Sequence, residues 1–427
     1  MAKDAMKDKK AVMNPITAFL RKLGPGVITG AADDDPSGIA TYSVAGAQLG
    51  TGLLWTALIT WPLMGAVQMM CARVGMVTGR GLAATLRTRF PKWLILIASV
   101  ALFGANTINI GADLSGMADS TEMLTGIRAY WMVPLFGVAI TAASIWWRYG
   151  QIARVLKCLA LALAAYIITG IIIHPPWPQV VWDTFIPSWP KSHEAWSTLV
   201  AILGTTISPY LFFWQSATEV EEDKEKGRKT LAQRRGATDE EIMDRKVDVG
   251  TGTFASNIVM YFIILTTAFT LHKSAVTNIE TSRQAAEALR PLAGNFAALL
   301  FAAGVIGTGL LAIPTLAGSA AYAFAETFAW HQGLDENLPR ARAFYAVFAA
   351  SMVIGILLNY LNISPIKALY WTAVINGLLA PPLMLGLLIV ACDRKIMQRQ
   401  PSSMLSRVVV GITTALMFGA AIGMFVF

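Results

Sequence analysis

Charge is scarce in this 427-residue chain: Asp, Glu, Lys and Arg together make up 14% of it, where a soluble domain carries about a quarter. Cysteine is scarcer still. Cys71, Cys158 and Cys392 form an odd, unclustered set without CxxC spacing, which excludes a disulfide framework and a zinc ribbon. The four histidines, His174, His193, His272 and His331, fall at expected helix ends or in loops, and no HExxH pattern exists. No basic patch interleaves with aromatics, so a nucleic-acid partner is not expected despite the net charge of +8. The opening MAKDAMKDKKAVMNPITAFLRK lacks the short apolar core and cleavage site of a signal peptide.

What is present is apolar: 55% of residues are hydrophobic, in long runs along the whole chain. A membrane-crossing helix needs about 20 such residues. Eleven candidate spans are read at 25–48, 52–78, 93–118, 129–147, 153–174, 196–217, 247–271, 292–327, 343–360, 367–391 and 405–427. The runs are continuous rather than alternating, so helices and not a barrel are expected. With the N-terminus inside, 26 Lys and Arg fall on the inner side and six on the outer. The positive-inside rule then predicts N-in, C-out, in the cytoplasmic (inner) membrane. The bilayer is the one partner expected besides cargo, with no obligate protein partner evident.

Two spans look broken. The first carries DDDPSG at residues 33–38, and the sixth carries GTTISP at 204–209. Asp, Ser, Thr and Gly disfavour helix interiors, and proline removes a backbone donor. Spans one and six each open a set of five helices, and five is odd, so the sets enter from opposite sides. This predicts inverted repeats over 25–174 and 196–391, after a tail at 1–24 and around an outer loop at 175–195. Residues 392–427 hold the last span. Paired breaks in matching positions point to a transporter site near the midplane.

The acids supply the chemistry. An ionised carboxylate at membrane depth costs at least about 2.5 kcal/mol, and no intramembrane Lys or Arg stands by as a partner. A cationic substrate is the natural counter-charge. Asp35, beside Pro36, is the strongest candidate ligand. Asp33 and Asp34 fit either a hydrated helix end or the outer shell of a hydrated ion.

The stretch GPGVITGAADDDPSGIATYSVAGAQLG resembles the first helix of NRAMP divalent-metal transporters, which carry Asp-Pro-Gly-Asn there. GTTISPY resembles their sixth-helix Ala-x-x-Met-Pro-His. The resemblance covers nearly the whole chain. It implies an all-α, LeuT-like fold with eleven transmembrane helices, 5+5 inverted repeats and broken helices one and six. It also implies alternating access, with the divalent ion as cargo and no cofactor. Asp35 and Pro36 align with Asp-Pro, Ser37 stands for Gly, and Gly38 stands for the ligating Asn. Thr205 replaces the Ala that lends a carbonyl, Ser208 replaces the Met, Pro209 matches, and Tyr210 replaces the His. The implied metal set is Asp35, Ser37, Gly38, Thr205, Ser208 and Asn376, the last near the family's tenth-helix Gln. Asp33, Asp34, Asp113 and Tyr210 are candidates for an outer shell or proton path.

The departures carry information. A thioether favours softer transition ions, whereas carboxylate, carbonyl, hydroxyl and water suit Mg and Mn. The pattern therefore resembles the NRAMP-related branch that moves Mg²⁺ and Mn²⁺. Asp113 matches the first acid of the family's Asp-x-x-Glu, but Gly116 occupies the Glu position. The ninth-helix basic residues have no counterpart in FYAVFAASMVIGILLN. Weak or absent proton coupling is expected.

Other polar residues are read as structural. Asp248 and Asn257 are expected to bond between helices, with Asn106, Thr107 and Asn109 similar. Loop 219–246 is read as a solvated helical linker. Segment 274–291 is read as a short amphipathic helix presenting Ala286, Leu289 and Leu292. Two other functions fit the residues less well. A Na⁺-coupled symporter of organic solutes shares the broken helices, but three acids would repel an anionic substrate. An intramembrane aspartyl protease would use Asp35 and Asp113 as a dyad, but its Gly-x-Gly-Asp signature is missing.

Overall fold

The computed structural model describes residues 24–146, 161–334, 336–361 and 363–426, and 81% of the fold is helix with no strand among them. Helix α1 (Pro25–Asp33) and α2 (Pro36–Leu49) form the first expected span. They are followed by α3 (Trp55–Thr78), the short α4 (Leu82–Leu86), α5 (Lys92–Thr125), α6 (Ala129–Trp146) and α7 (Ala164–Ile172). Next come α8 (Trp177–Phe185), α9 (His193–Thr206), α10 (Pro209–Glu225), α11 (Leu231–Arg234) and α12 (Asp239–Thr270). The remainder are α13 (Ser282–Ala286), α14 (Arg290–Ala293), α15 (Ala297–Phe328), α16 (Arg342–Leu358), α17 (Pro365–Cys392) and α18 (Met404–Val426).

Among the described residues, nine helical segments are long and apolar enough to cross a membrane. The first expected span is absent from that set although the equally broken sixth is in it; the first carries three acids, Asp33, Asp34 and Asp35, at its break. For the fifth, residues 153–160 lie outside the described residues, as do Cys158 and the tail up to residue 23. Most expected span ends hold to a few residues, but the third span, expected to end at 118, runs on to Thr125, and two others are longer still. Span six runs on to Glu225 and span seven starts at Asp239. Charged flanking residues extend these helices because their side chains pair with one another, as described below.

Burial ranks the helices. In the α9–α10 segment 94% of the most apolar window is buried, against 22% in α6; the broken pair is central and α6 peripheral. The outer surface is apolar, with Leu405, Val408, Ile412 and Leu416 exposed at helical spacing along α18. Such a stripe suits acyl chains, not water.

Small residues bring the central helices together. A Cβ on Gly30 would stand 2.5 Å from the Gly252 carbonyl carbon, so α1 and α12 touch backbone to backbone. A Cβ on Gly204 would stand 2.1 Å from the Ala373 carbonyl oxygen, which does the same for α9 and α17. Close approach of this kind is how helices associate where lipid supplies no hydrophobic drive.

The expected amphipathic segment is divided rather than continuous. It comprises α13, a 3-10 turn over Glu287–Leu289 and α14. Ala286 and Leu289 are buried, and Leu292 packs partly against the core.

A buried carboxylate cluster between two broken helices

Both breaks have the same local construction. In the first, α1 ends at Asp33, Asp34 follows it, and Asp35 is extended (φ −65°, ψ 170°) with Pro36 as the first helical residue of α2. In the second, α9 ends at Thr206, Ile207 follows, and Ser208 is extended (φ −71°, ψ 131°) before Pro209 opens α10. Proline is tolerated at a first helical position because no amide is needed there. The carbonyl ends of α1 and α9 thus lie at the breaks, where their partial negative charge favours a cation.

Asp35 is 2% exposed. Its Oδ1 accepts from the Ser37 hydroxyl (2.8 Å) and the Gly38 amide (2.7 Å), and its Oδ2 accepts from Asn109 Nδ2 (3.1 Å). Three donors fix the carboxylate, and each oxygen keeps lone-pair capacity. Gly38 thus contributes its amide to Asp35. A Cβ on Gly38 would stand 3.2 Å from Thr205 Oγ1 and 3.3 Å from the Asp33 carbonyl, so a longer side chain is crowded here.

On the opposing break, Ser208 Oγ donates to the Thr205 carbonyl (2.7 Å) and the Gly204 carbonyl (2.8 Å). The two expected sixth-helix ligands are therefore bonded to each other. Tyr210 donates its hydroxyl to the Ala32 carbonyl (2.9 Å), which ties α10 to the end of α1.

Asp33 and Asp34 are 0% and 6% exposed. The hydrated-end reading therefore does not describe this conformation. Both accept from the Ser256 hydroxyl of α12, at 3.1 and 3.0 Å, and Asp33 Oδ1 has no hydrogen-bond partner among the described residues. Asp113 is wholly buried. Both its oxygens are without a hydrogen-bond partner among the described residues. A Cβ on Gly116, one turn along, would stand 3.0 Å from Leu369 Cδ1 and 3.8 Å from Pro36. An acid there would face the break; glycine leaves Asp113 alone.

Four buried carboxylates thus share one region, and none is paired with a Lys or Arg among the described residues. Buried carboxylates require protons or a cation. They do not converge as a ready-made cage: no three acid, His or Cys side chains meet at one metal position among the described residues. Asn376 is buried in α17, next to Gly377, whose backbone lies against Val200 of α9. It makes no hydrogen bond to Asp35, Ser37 or Ser208 among the described residues.

Asn109 and Ser256 were not anticipated as site residues. Their only sequence signal was polarity inside apolar runs. Asn106 does bond between helices, to the Leu316 carbonyl and Ser319 (both 2.8 Å), as does Asn257, through Thr60 (2.8 Å).

A second buried network closes one end of the same helices. Asp248 of α12 accepts from the Gly24 (2.8 Å), Gly26 (2.8 Å) and Val27 (3.1 Å) amides, and so caps α1. Arg245, 7% exposed, pairs with Asp248 (2.5 Å), Glu219 (2.7 Å) and Glu222. Gln215 accepts from Thr29 (2.6 Å) and donates to Glu219 (2.7 Å). The expectation of a solvated linker over 219–246 is thereby corrected. Its helix-proximal charges are buried because they neutralise one another.

The comparisons agree with this geometry. A divalent metal cation transporter MntH of Caldanaerobacter subterraneus subsp. tengcongensis is 26% identical over 398 residues, 91% of this chain and 89% of the relative. The Yersinia pestis MntH is 28% identical over 307 residues, 70% of this chain and 71% of its own. The structure of an Eremococcus coleocola manganese transporter superposes with a TM-score of 0.75 at 18% identity, covering 95% of this chain and 86% of that one. Mhp1, a nucleobase-cation-symport-1 family transporter, superposes at 0.55 with 15% identity, covering 94% of this chain and 90% of that one; likenesses at such identity speak to fold alone. The family model "Natural resistance-associated macrophage protein-like" matches residues 26–427. With the paired breaks and the buried acids at their junction, this places the chain in the Nramp family.

Proposed function

We propose that this protein is a secondary transporter moving divalent metal cations across the cytoplasmic membrane by alternating access. The carrying observation is the buried carboxylate group at the meeting of two broken helices, without a cationic side chain to neutralise it among the described residues. Asp35 is the anionic ligand. The Thr205 carbonyl and Ser208 oxygen contribute from the second break, and Ser37 and the Gly38 backbone from the first. Asn376 lies on the α9–α17 seam as a further candidate. Because the acids form no preassembled cage, the cargo retains part of its water, with Asp33 and Asp34 facing its outer shell. An oxygen-only site of this kind suits Mg²⁺ and Mn²⁺.

The chain crosses the membrane eleven times, N-terminus inside and C-terminus outside, in two inverted five-helix sets. The Arg245–Asp248 network then lies on the cytoplasmic side and holds α1 against α10 and α12. Opening it releases α1 and gives the ion an exit. Proton coupling is weak or absent: Tyr210 is committed to the Ala32 carbonyl and Gly116 supplies no acid.

The test is competitive uptake of Mg²⁺, Mn²⁺, Fe²⁺, Ca²⁺ and Cd²⁺ into proteoliposomes with an interior pH probe. Divalent uptake that vanishes in Asp35→Asn supports the reading. Undiminished uptake in that variant, or solute-dependent Na⁺ flux without divalents, overturns it.

A further inference from the structure

Away from the ion path, a cleft of about 620 Å³ opens at the Lys- and Arg-rich end, between the α3–α4 turn, the end of α10, α11 and the end of α15. That is the size of a small-molecule site. Arg80, Arg87, Lys224, Lys229 and Arg234 line it. Among the described residues only Lys224 of these has a carboxylate partner, Glu221 at 2.8 Å.

The guanidinium groups of Arg87 and Arg234 are held by carbonyls instead. Arg87 donates to the Glu326 carbonyl (2.7 Å), and Arg234 to the Lys229 (2.7 Å) and Arg228 (3.1 Å) carbonyls. Carbonyls fix a guanidinium in place without cancelling its charge. The two acids in the cleft are turned elsewhere. Glu326 is buried and accepts from the Ala84 amide (3.1 Å) and Gln332 (3.2 Å), and Glu336 faces Arg340 (3.7 Å). Arg80 and Lys229 make no ion pair or side-chain hydrogen bond among the described residues. The wall itself is built by glycines: a Cβ on Gly81 would collide with Glu326 Oε1 at 1.7 Å, and Gly79 has φ +63°.

Orientation signals need positive charge but no fixed geometry. Here two guanidiniums, Arg87 and Arg234, are held in place by carbonyls, and they share one concave wall with the unpaired Arg80 and Lys229, an arrangement that suits a multiply charged oxyanion. We propose that this cleft is a binding site for a phosphate-bearing anion, either a soluble phosphate or a lipid headgroup. None of its lining residues is among the candidate ion ligands.

The test uses the full chain in neutral detergent, titrated with inorganic pyrophosphate by calorimetry. In parallel, phosphatidylcholine nanodiscs with and without phosphatidylglycerol are compared by native mass spectrometry for retained lipid. Arg80→Gln with Lys229→Gln removes the two charges that hold nothing in the protein. It should weaken binding by about tenfold or more, while Lys395→Gln with Arg399→Gln, which removes equal charge from an exposed patch, leaves it unchanged. Loss with pyrophosphate alone assigns a soluble phosphate, and loss with phosphatidylglycerol alone assigns a headgroup. If the double variant melts early, Lys229→Gln alone carries the comparison, since that side chain is exposed. Equal weakening by both double variants, or no binding of either probe by the parent protein, overturns the proposal.

Discussion

At the residue scale the chemistry turns on how Asp35 is held. Three donors from Ser37, Gly38 and Asn109 fix its carboxylate at the break. Asp35→Asn keeps the shape and removes the charge, so metal uptake should fall below detection while the gel-filtration profile stays that of the parent. Asn109→Ala leaves a buried carboxylate oxygen short of one donor, at a cost of about 1–3 kcal/mol. Uptake should weaken without loss of ion selectivity, read from the competition profile. Ser208→Met replaces an oxygen with a thioether and should shift the profile toward Mn²⁺, Fe²⁺ or Cd²⁺. An unchanged ratio would show that residue 208 does not meet the ion. The place of Asp35 at the break was legible because an acid beside a proline inside an apolar run disfavours both helix and bilayer. Asn109 and Ser256 were not, because whether a polar residue in a helix meets a ligand or another helix depends on which way the helix is turned.

At the scale of elements, the breaks and their ends follow from local chemistry, whereas the latch does not. Asp248 caps α1 from more than two hundred residues away, and Arg245 joins α10 to α12. Removing one member of a buried ion pair costs about 3–5 kcal/mol. Asp248→Ala should therefore loosen the start of α1, seen as faster amide hydrogen exchange over residues 24–33 with protection of α15 unchanged. Gly30→Leu would drive a side chain into the Gly252 backbone. Overpacking there should lower stability by at least about 1–3 kcal/mol, read as a lower melting temperature. The charged segment 219–246 looked like a solvated linker because its signs are mixed. Mixed signs also allow mutual burial, and only the meeting of α10 with α12 selects between the two.

At the scale of the whole molecule, the buried acids sit inside a shell of apolar helices whose outer faces suit lipid. If the cargo is the counter-charge, then the interior pH probe should stay flat during metal uptake even as Asp35→Asn abolishes it. Metal-dependent acidification matching the flux would require a proton path that Tyr210 and Gly116 do not supply. The all-helical character and the two breaks were readable along the chain, because a bilayer forces backbone groups to bond within helices and makes apolar length and helix-breaking residues decisive. The three-dimensional arrangement alone decided that Asp33 and Asp34 are dry and share Ser256, that Ser208 is tied to the Thr205 carbonyl, and that Arg245 is buried among acids. The Ser256 and Arg245 contacts join segments distant in sequence, set by which faces the glycine-lined helices turn toward one another, and the Ser208 bond closes locally across the second break.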